Sequence, residues 1–64
     1  MYDKIKLTDG TLLCVGERAT PMSNEFVTRI ADAPGSRQGY RITLSDGGCI
    51  EISATSVLWT YSSK

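Results

Sequence analysis

Two Asp-Gly dipeptides, Asp9-Gly10 and Asp46-Gly47, each separate runs in which apolar and polar residues alternate. Alternation with a period of two puts one set of side chains on each face of an extended strand. Asp-Gly between two such runs is a tight-turn signal, because Asp hydrogen-bonds its own backbone and Gly accepts φ > 0. Residues 3–8 therefore read as a strand with Ile5 and Leu7 on one face and Lys4, Lys6 and Thr8 on the other. Asp9-Gly10 is expected as a two-residue type I′ turn, and residues 11–17, carrying Leu12, Leu13, Cys14 and Val15, as the return strand.

The same grammar continues along the chain. A loop around Pro21 is followed by a strand over residues 25–33, with Phe26, Thr28 and Ile30 on one face and Val27, Arg29 and Ala31 on the other. Residues 34–39, with Pro34, Gly35 and Gly39, form a second loop. Tyr40, Ile42 and Leu44 then alternate with Arg41, Thr43 and Ser45, and beyond the Asp46-Gly47-Gly48 turn Ile50 and Ile52 alternate with Cys49, Glu51 and Ser53. The tail carries a short polar interruption and then Val57-Leu58-Trp59-Thr60-Tyr61, residues that favour extended structure over helix. The interruption is long enough for one turn of 3₁₀ helix. The pattern is that of an all-β domain of about five short antiparallel strands, with a 3₁₀ turn before the last.

Strand, single 3₁₀ turn, final strand is the ending of SH3-like small barrels, and strand spacing over residues 1–61 resembles that architecture. The resemblance implies a small barrel. The Ala-Leu-Tyr-Asp-Tyr-like segment and acidic loop of peptide-binding SH3 domains are absent, so proline-rich ligands are not implied.

Sixty-four residues make one domain, spanning residues 1–64. A chain this short buries about 60% of the surface of its unfolded form, so its core is marginal without a closed barrel, a cross-link, a metal or a partner subunit. Homo-oligomerisation is accordingly an open expectation. Seven Lys+Arg balance seven Asp+Glu with no His, which argues against a strongly basic nucleic-acid binder and an acidic nucleic-acid mimic alike. No apolar run is long enough to span a membrane, and no signal-peptide pattern opens the chain, so the expected location is the cytoplasm. Cys14 and Cys49 are expected to be reduced thiols, since a disulfide scaffold of this size carries more cysteines.

The inventory for catalysis is poor. Without His there is no Ser-His-Asp or Cys-His arrangement. Two cysteines thirty-five positions apart cannot complete a zinc site within one chain, and Asp46-Gly47-Gly48 lacks the oxygen ligands of a calcium loop. Neither a metal nor any other cofactor is expected, and the chain reads as no enzyme. A pore assembled from four barrels, as in plasmid-encoded dihydrofolate reductases, would place Ile50-Glu51-Ile52 at the pore without the Gln and Tyr of those enzymes.

Two binding surfaces remain. Arg29, Arg37, Tyr40 and Arg41 cluster around the second loop, where cations beside an aromatic ring suit phosphate contacts and base stacking. The competing reading turns Tyr40 inward with Ile42 and Leu44 and leaves the arginines solvated, and it is favoured. In the last strand, Trp59 and Tyr61 share one face and Leu58 and Thr60 the other. Core placement of Trp59 is preferred, and whichever of Leu58, Trp59 and Tyr61 stays outside marks a partner interface. The expected function is a non-catalytic protein-binding module, similar in general character to small phage-encoded inhibitors of host or defence complexes, anti-CRISPR proteins among them. The alternative is a small-barrel nucleic-acid binder using the Arg/Tyr cluster.

Overall fold

The computed structural model describes residues 1–20, 24–35 and 38–63. They form six strands: β1 (Lys4–Leu7), β2 (Leu12–Cys14), β3 (Val27–Asp32), β4 (Gly39–Leu44), β5 (Cys49–Ser53) and β6 (Val57–Tyr61). A 3₁₀ turn, Ala54–Ser56, separates β5 from β6 as expected. Ser53 caps it, its side-chain oxygen accepting from the Thr55 N–H. The count is six rather than about five because each alternating run forms a strand of its own.

Both Asp-Gly turns close hairpins, Asp9-Gly10 by a different geometry from the type I′ turn expected of it. Leu7 accepts from Gly10 N–H and donates to Thr11 O, and Leu44 does the same with Gly47 and Gly48. Gly10 and Gly47 sit at φ 96° and 91°, and no other residue type among those described has positive φ. Asp9 is thus right-handed, and each loop is a three-residue turn with glycine alone in the left-handed position. The aspartates contribute through their side chains: Asp9 Oδ1 accepts from Thr11 N–H (2.9 Å) and Asp46 Oδ1 from Gly48 N–H (2.8 Å).

The strands pair as two antiparallel three-stranded sheets, ordered β2-β1-β6 and β3-β4-β5. The sheets are stitched along one side. Tyr2 bridges Ile30, Arg18 bridges Phe26, and across the β2–β3 connection Gly16 N–H donates to Val27 O while Val27 N–H donates to Glu17 O. On the other side no strand pairing joins β5 to β6, so the barrel is not closed. The three-residue 3₁₀ turn redirects the chain, and β6 pairs with β1 instead. β2 is also shorter than its alternating run, because Cys14 O accepts from Glu17 N–H in a turn with Gly16 at φ 91°.

Ile5 and Leu13 from the first sheet pack with Val27, Ile30 and Ile42 from the second, and Ala19 joins them. Ile5, Val27, Ile30 and Ile42 are fully buried. The expected faces of β3 fail at one point. A bulge between Val27 and Arg29 inserts Thr28 without a partner on β4, which resets the alternation so that Val27 and Ile30 both point inward. Phe26, which alternation grouped with Ile30, is 45% exposed. Its main chain is held by Ser45, whose Oγ accepts from Phe26 N–H and donates to Glu25.

Cys14 is buried and Cys49 exposed, and neither forms a disulfide. Cys49 is exposed because it lies beside Thr43 on the outer face of the second sheet. No helix among the described residues is long and apolar enough to cross a membrane.

Candidate functional site

The outer face of β2-β1-β6 is assembled by the registers of its three strands. Ile5 is buried and pairs with Leu13 on one side and Thr60 on the other, so Lys4 and Lys6, alternating with it, point outward. Lys6 pairs with Leu12 and Trp59, and Lys4 with Cys14 and Tyr61. Two rows cross the sheet: Leu12–Lys6–Trp59 and Cys14–Lys4–Tyr61. A bulge opposite Lys6 and Leu7 adds Leu58 as an extra residue in β6. Leu58 is 60% exposed, Tyr61 51%, Trp59 47% and Leu12 45%.

This settles the orientation of the last strand. Trp59 lies outside rather than in the core, which corrects the preferred placement, and it shares the outer face with Tyr61. The reason is register. Thr60 falls opposite Ile5 and takes the inward position, while Val57 packs against the core at the strand's start. The bulge exposes Leu58 as well, so Leu58, Trp59 and Tyr61 all face solvent.

Electrostatically the face is positive. Lys4 Nζ sits 5.9 Å from the centre of the Tyr61 ring, a cation–π distance. Neither lysine has an ion-pair partner among the described residues. Asp3, beside the face, has its carboxyl held below the usual range by hydrogen bonds from Ser63, whose N–H lies 2.8 Å from Oδ2. What the arrangement offers chemically is an aromatic-aliphatic surface, two ammonium groups and no nucleophile–base pair.

The expected Arg/Tyr cluster is divided. Arg29 and Arg41 line a shallow depression of about 240 Å³ on the outer face of β3-β4-β5, with Ala31, Asp32, Pro34 and Thr43. Arg41 is committed to Glu51, its Nη2 and Nε donating to Oε2 at 2.6 and 3.2 Å. That carboxylate strengthens the guanidinium's hold on its proton. Tyr40 is half-buried on the opposite, inward face, meeting Tyr2 edge-on with ring centres 5.5 Å apart. Tyr2 donates in turn to Asp32 Oδ1 at 2.7 Å, which raises the Tyr2 pKa. Arg37 lies outside the described residues. Tyr40 therefore offers no stacking surface to a ligand held by Arg29 and Arg41.

Sequence reasoning did not connect Lys4, Lys6 and Leu12 to the tail. The signal for half of the link was present, since the Asp9-Gly10 hairpin itself places Lys6 beside Leu12. The other half, β1 pairing with β6, joins residues more than fifty positions apart and leaves no local trace. Among the described residues no group of three or more His, Cys, Asp or Glu side chains converges as a metal site. Compared with protein-family models, curated proteins and solved structures, the chain matches none.

Proposed function

We propose that this protein is a non-catalytic binding module that docks on a larger protein through the outer face of β2-β1-β6. The observation that carries this reading is the joint exposure of Leu12, Leu58, Trp59 and Tyr61 around Lys4 and Lys6. Aromatic residues enclosed by aliphatic ones are the composition of interface cores, and exposing them costs solvation unless a partner covers them. The lysines add orientation and encounter rate toward an acidic partner surface. They also disfavour burial of this face against its own copy, which would bring like charges together. The lack of His supports action by occlusion rather than chemistry. Occupying a surface of a host or defence complex, as small phage-type inhibitors do, is the biological role this reading favours.

The test compares wild type with a Leu58→Ala/Trp59→Ala variant, each immobilised and shown to be folded by circular dichroism. A protein retained from source-cell extract by wild type and lost with the variant supports the reading. Equal retention by both discredits this face. Intrinsic fluorescence of Trp59, the sole tryptophan, supplies the opposing arm. Saturable quenching by single-stranded oligonucleotides at low salt, abolished at moderate salt, would replace the protein partner with nucleic acid.

A further inference from the structure

The two sheets leave several strand edges, and they are not equally protected. β2 is three residues long, β3 is bulged and bridged by Tyr2 and Arg18, and β6 is bulged at Leu58. Short length, bulges and covering bridges are the devices that keep sheet edges from pairing with other chains. β5 has none of them. It is five residues long, its register with β4 is unbroken from Gly39↔Ser53 to Thr43↔Cys49, and it carries neither Pro nor Lys. On the side away from β4 it meets no strand.

Register shows which main-chain groups point that way. Leu44 N–H donates to Gly48 O and Ala54 N–H to Gln38 O, so the even-numbered residues of β5, Ile50 and Ile52, exchange hydrogen bonds with β4. Cys49, alternating with them, turns its N–H and C=O outward. Ile50 pairs with the fully buried Ile42 on the inward face yet is itself 45% exposed, because the barrel is open beside it.

We infer that β5 is a self-association edge, pairing antiparallel with β5 of a second copy about a two-fold axis at Ile50. This register keeps like side chains of Glu51 apart. A two-fold centred on Glu51 would set the two carboxylates, each held by its own Arg41, directly opposite one another. Centred on Ile50, Glu51 lies across from the uncharged Cys49, and the two Ile50 side chains meet in a non-hydrogen-bonded pair, where cross-strand side chains are closest. Ile52 then falls opposite Gly48 of the second copy, which has no side chain to clash. The result is a continuous six-stranded sheet, β3-β4-β5 joined to its symmetry mate.

One five-residue strand edge with a single apolar pair at its centre is a small contact beside the roughly 1,200 Å² total of a stable interface, so the dimer is a weak, concentration-dependent one. It uses none of Leu12, Leu58, Trp59 or Tyr61 and stands independently of the proposed partner face.

Sedimentation equilibrium across micromolar to millimolar protein tests it. Wild type is expected to shift from monomer to dimer. Cys49→Pro removes an outward N–H at the first position of an edge strand, where proline is tolerated, and should raise the dissociation constant at least about tenfold. Trp59→Ala should leave association unchanged. In a Cys49→Ser background, mild oxidation should cross-link Ile50→Cys into a covalent dimer and leave Glu51→Cys monomeric, a readout that holds even if the proline variant fails to fold. Strictly monomeric wild type, cross-linking at position 51 rather than 50, a folded Cys49→Pro that dimerises normally, or loss of dimer in Trp59→Ala would each overturn the assignment.

Discussion

The two sheets contribute to one core and present opposite outer faces. On β3-β4-β5 the row across the strands is Ala31, Arg41, Glu51, and its cation is satisfied within the sheet by its neighbour's carboxylate. On β2-β1-β6 the equivalent rows hold lysines between apolar columns, with two large aromatic rings half in water. Both sheets are three-stranded and antiparallel, so the difference that bears on binding lies in what the outward positions carry. An outer face whose central cation is paired within the sheet has less charge to offer a partner, whereas one that leaves cations and rings exposed is incomplete alone. The proposed function is assigned to the second kind of face for that reason.

The comparison presumes that the inward faces act as one unit, and that presumption can be broken. Ile5 belongs to the first sheet and Ile42 to the second, and both are fully buried. Either Ile→Ala change should cost about 2–5 kcal/mol, enough to unfold much of so small a domain at room temperature. Urea unfolding followed by circular dichroism should show one transition for both variants, shifted by similar amounts. Two transitions, or one variant near wild type, would mean that the sheets are separate bodies.

Gly39→Ala sharpens the contrast from the second sheet alone. A Cβ at Gly39 would lie 2.5 Å from the Ile52 carbonyl oxygen, a main-chain atom that cannot swing aside. The β4–β5 pairing must shift, at a cost of about 1–3 kcal/mol, while the β1–β6 pairing stays intact. Amide exchange should quicken in β4 and β5 first, and uniform quickening would show that the sheets are coupled more tightly than proposed.

Trp59→Ala addresses the first sheet. With its ring on the outer face, truncation should change stability by less than about 1 kcal/mol, against about 3–5 kcal/mol for a tryptophan in a core. A large drop in the urea midpoint would return Trp59 to a structural role and remove the main support for the partner face.

How much of this was legible beforehand follows from where the information resides. The hairpins, the 3₁₀ break and the inward positions of Ile5, Ile30 and Ile42 are written in alternation and turn residues, which act over a few positions. The bulges at Thr28 and Leu58 are not, because nothing in Val27-Thr28-Arg29 or Val57-Leu58-Trp59 distinguishes an inserted residue from a paired one. The first bulge turned Val27 and Ile30 to the same side, where alternation set them on opposite faces, and the second left Leu58 and Trp59 both outside. Barrel closure and the exposure of Trp59 depended on whether β6 meets β5 or β1, a choice between distant partners. The Arg/Tyr cluster needed Tyr40 and Arg41 to share a face, which residues adjacent in a strand cannot do, and the favoured reading, with Tyr40 inward beside Ile42 and Leu44, follows from alternation alone.

The smallest expected effect concerns pH and the hairpin that carries Lys6 and Leu12 to the partner face. Asp9 accepts a hydrogen bond from Thr11, which lowers its pKa, and Asp3 is lowered likewise by Ser63. A carboxylate with a folded pKa below its unfolded value, about 3.9, adds stability that is fully present above that value. The contribution is lost as pH falls through the folded pKa. Wild type should therefore weaken below about pH 4. Asp9→Asn keeps an oxygen for the Thr11 N–H and suits the turn equally well, but cannot titrate. Its urea midpoint should fall less steeply over the same acid range, with near-identity to wild type at neutral pH. If the two acid profiles superimpose, the Asp9–Thr11 bond contributes nothing that protonation removes, and the first hairpin owes its register to Gly10 and the Leu7–Thr11 main-chain pair alone.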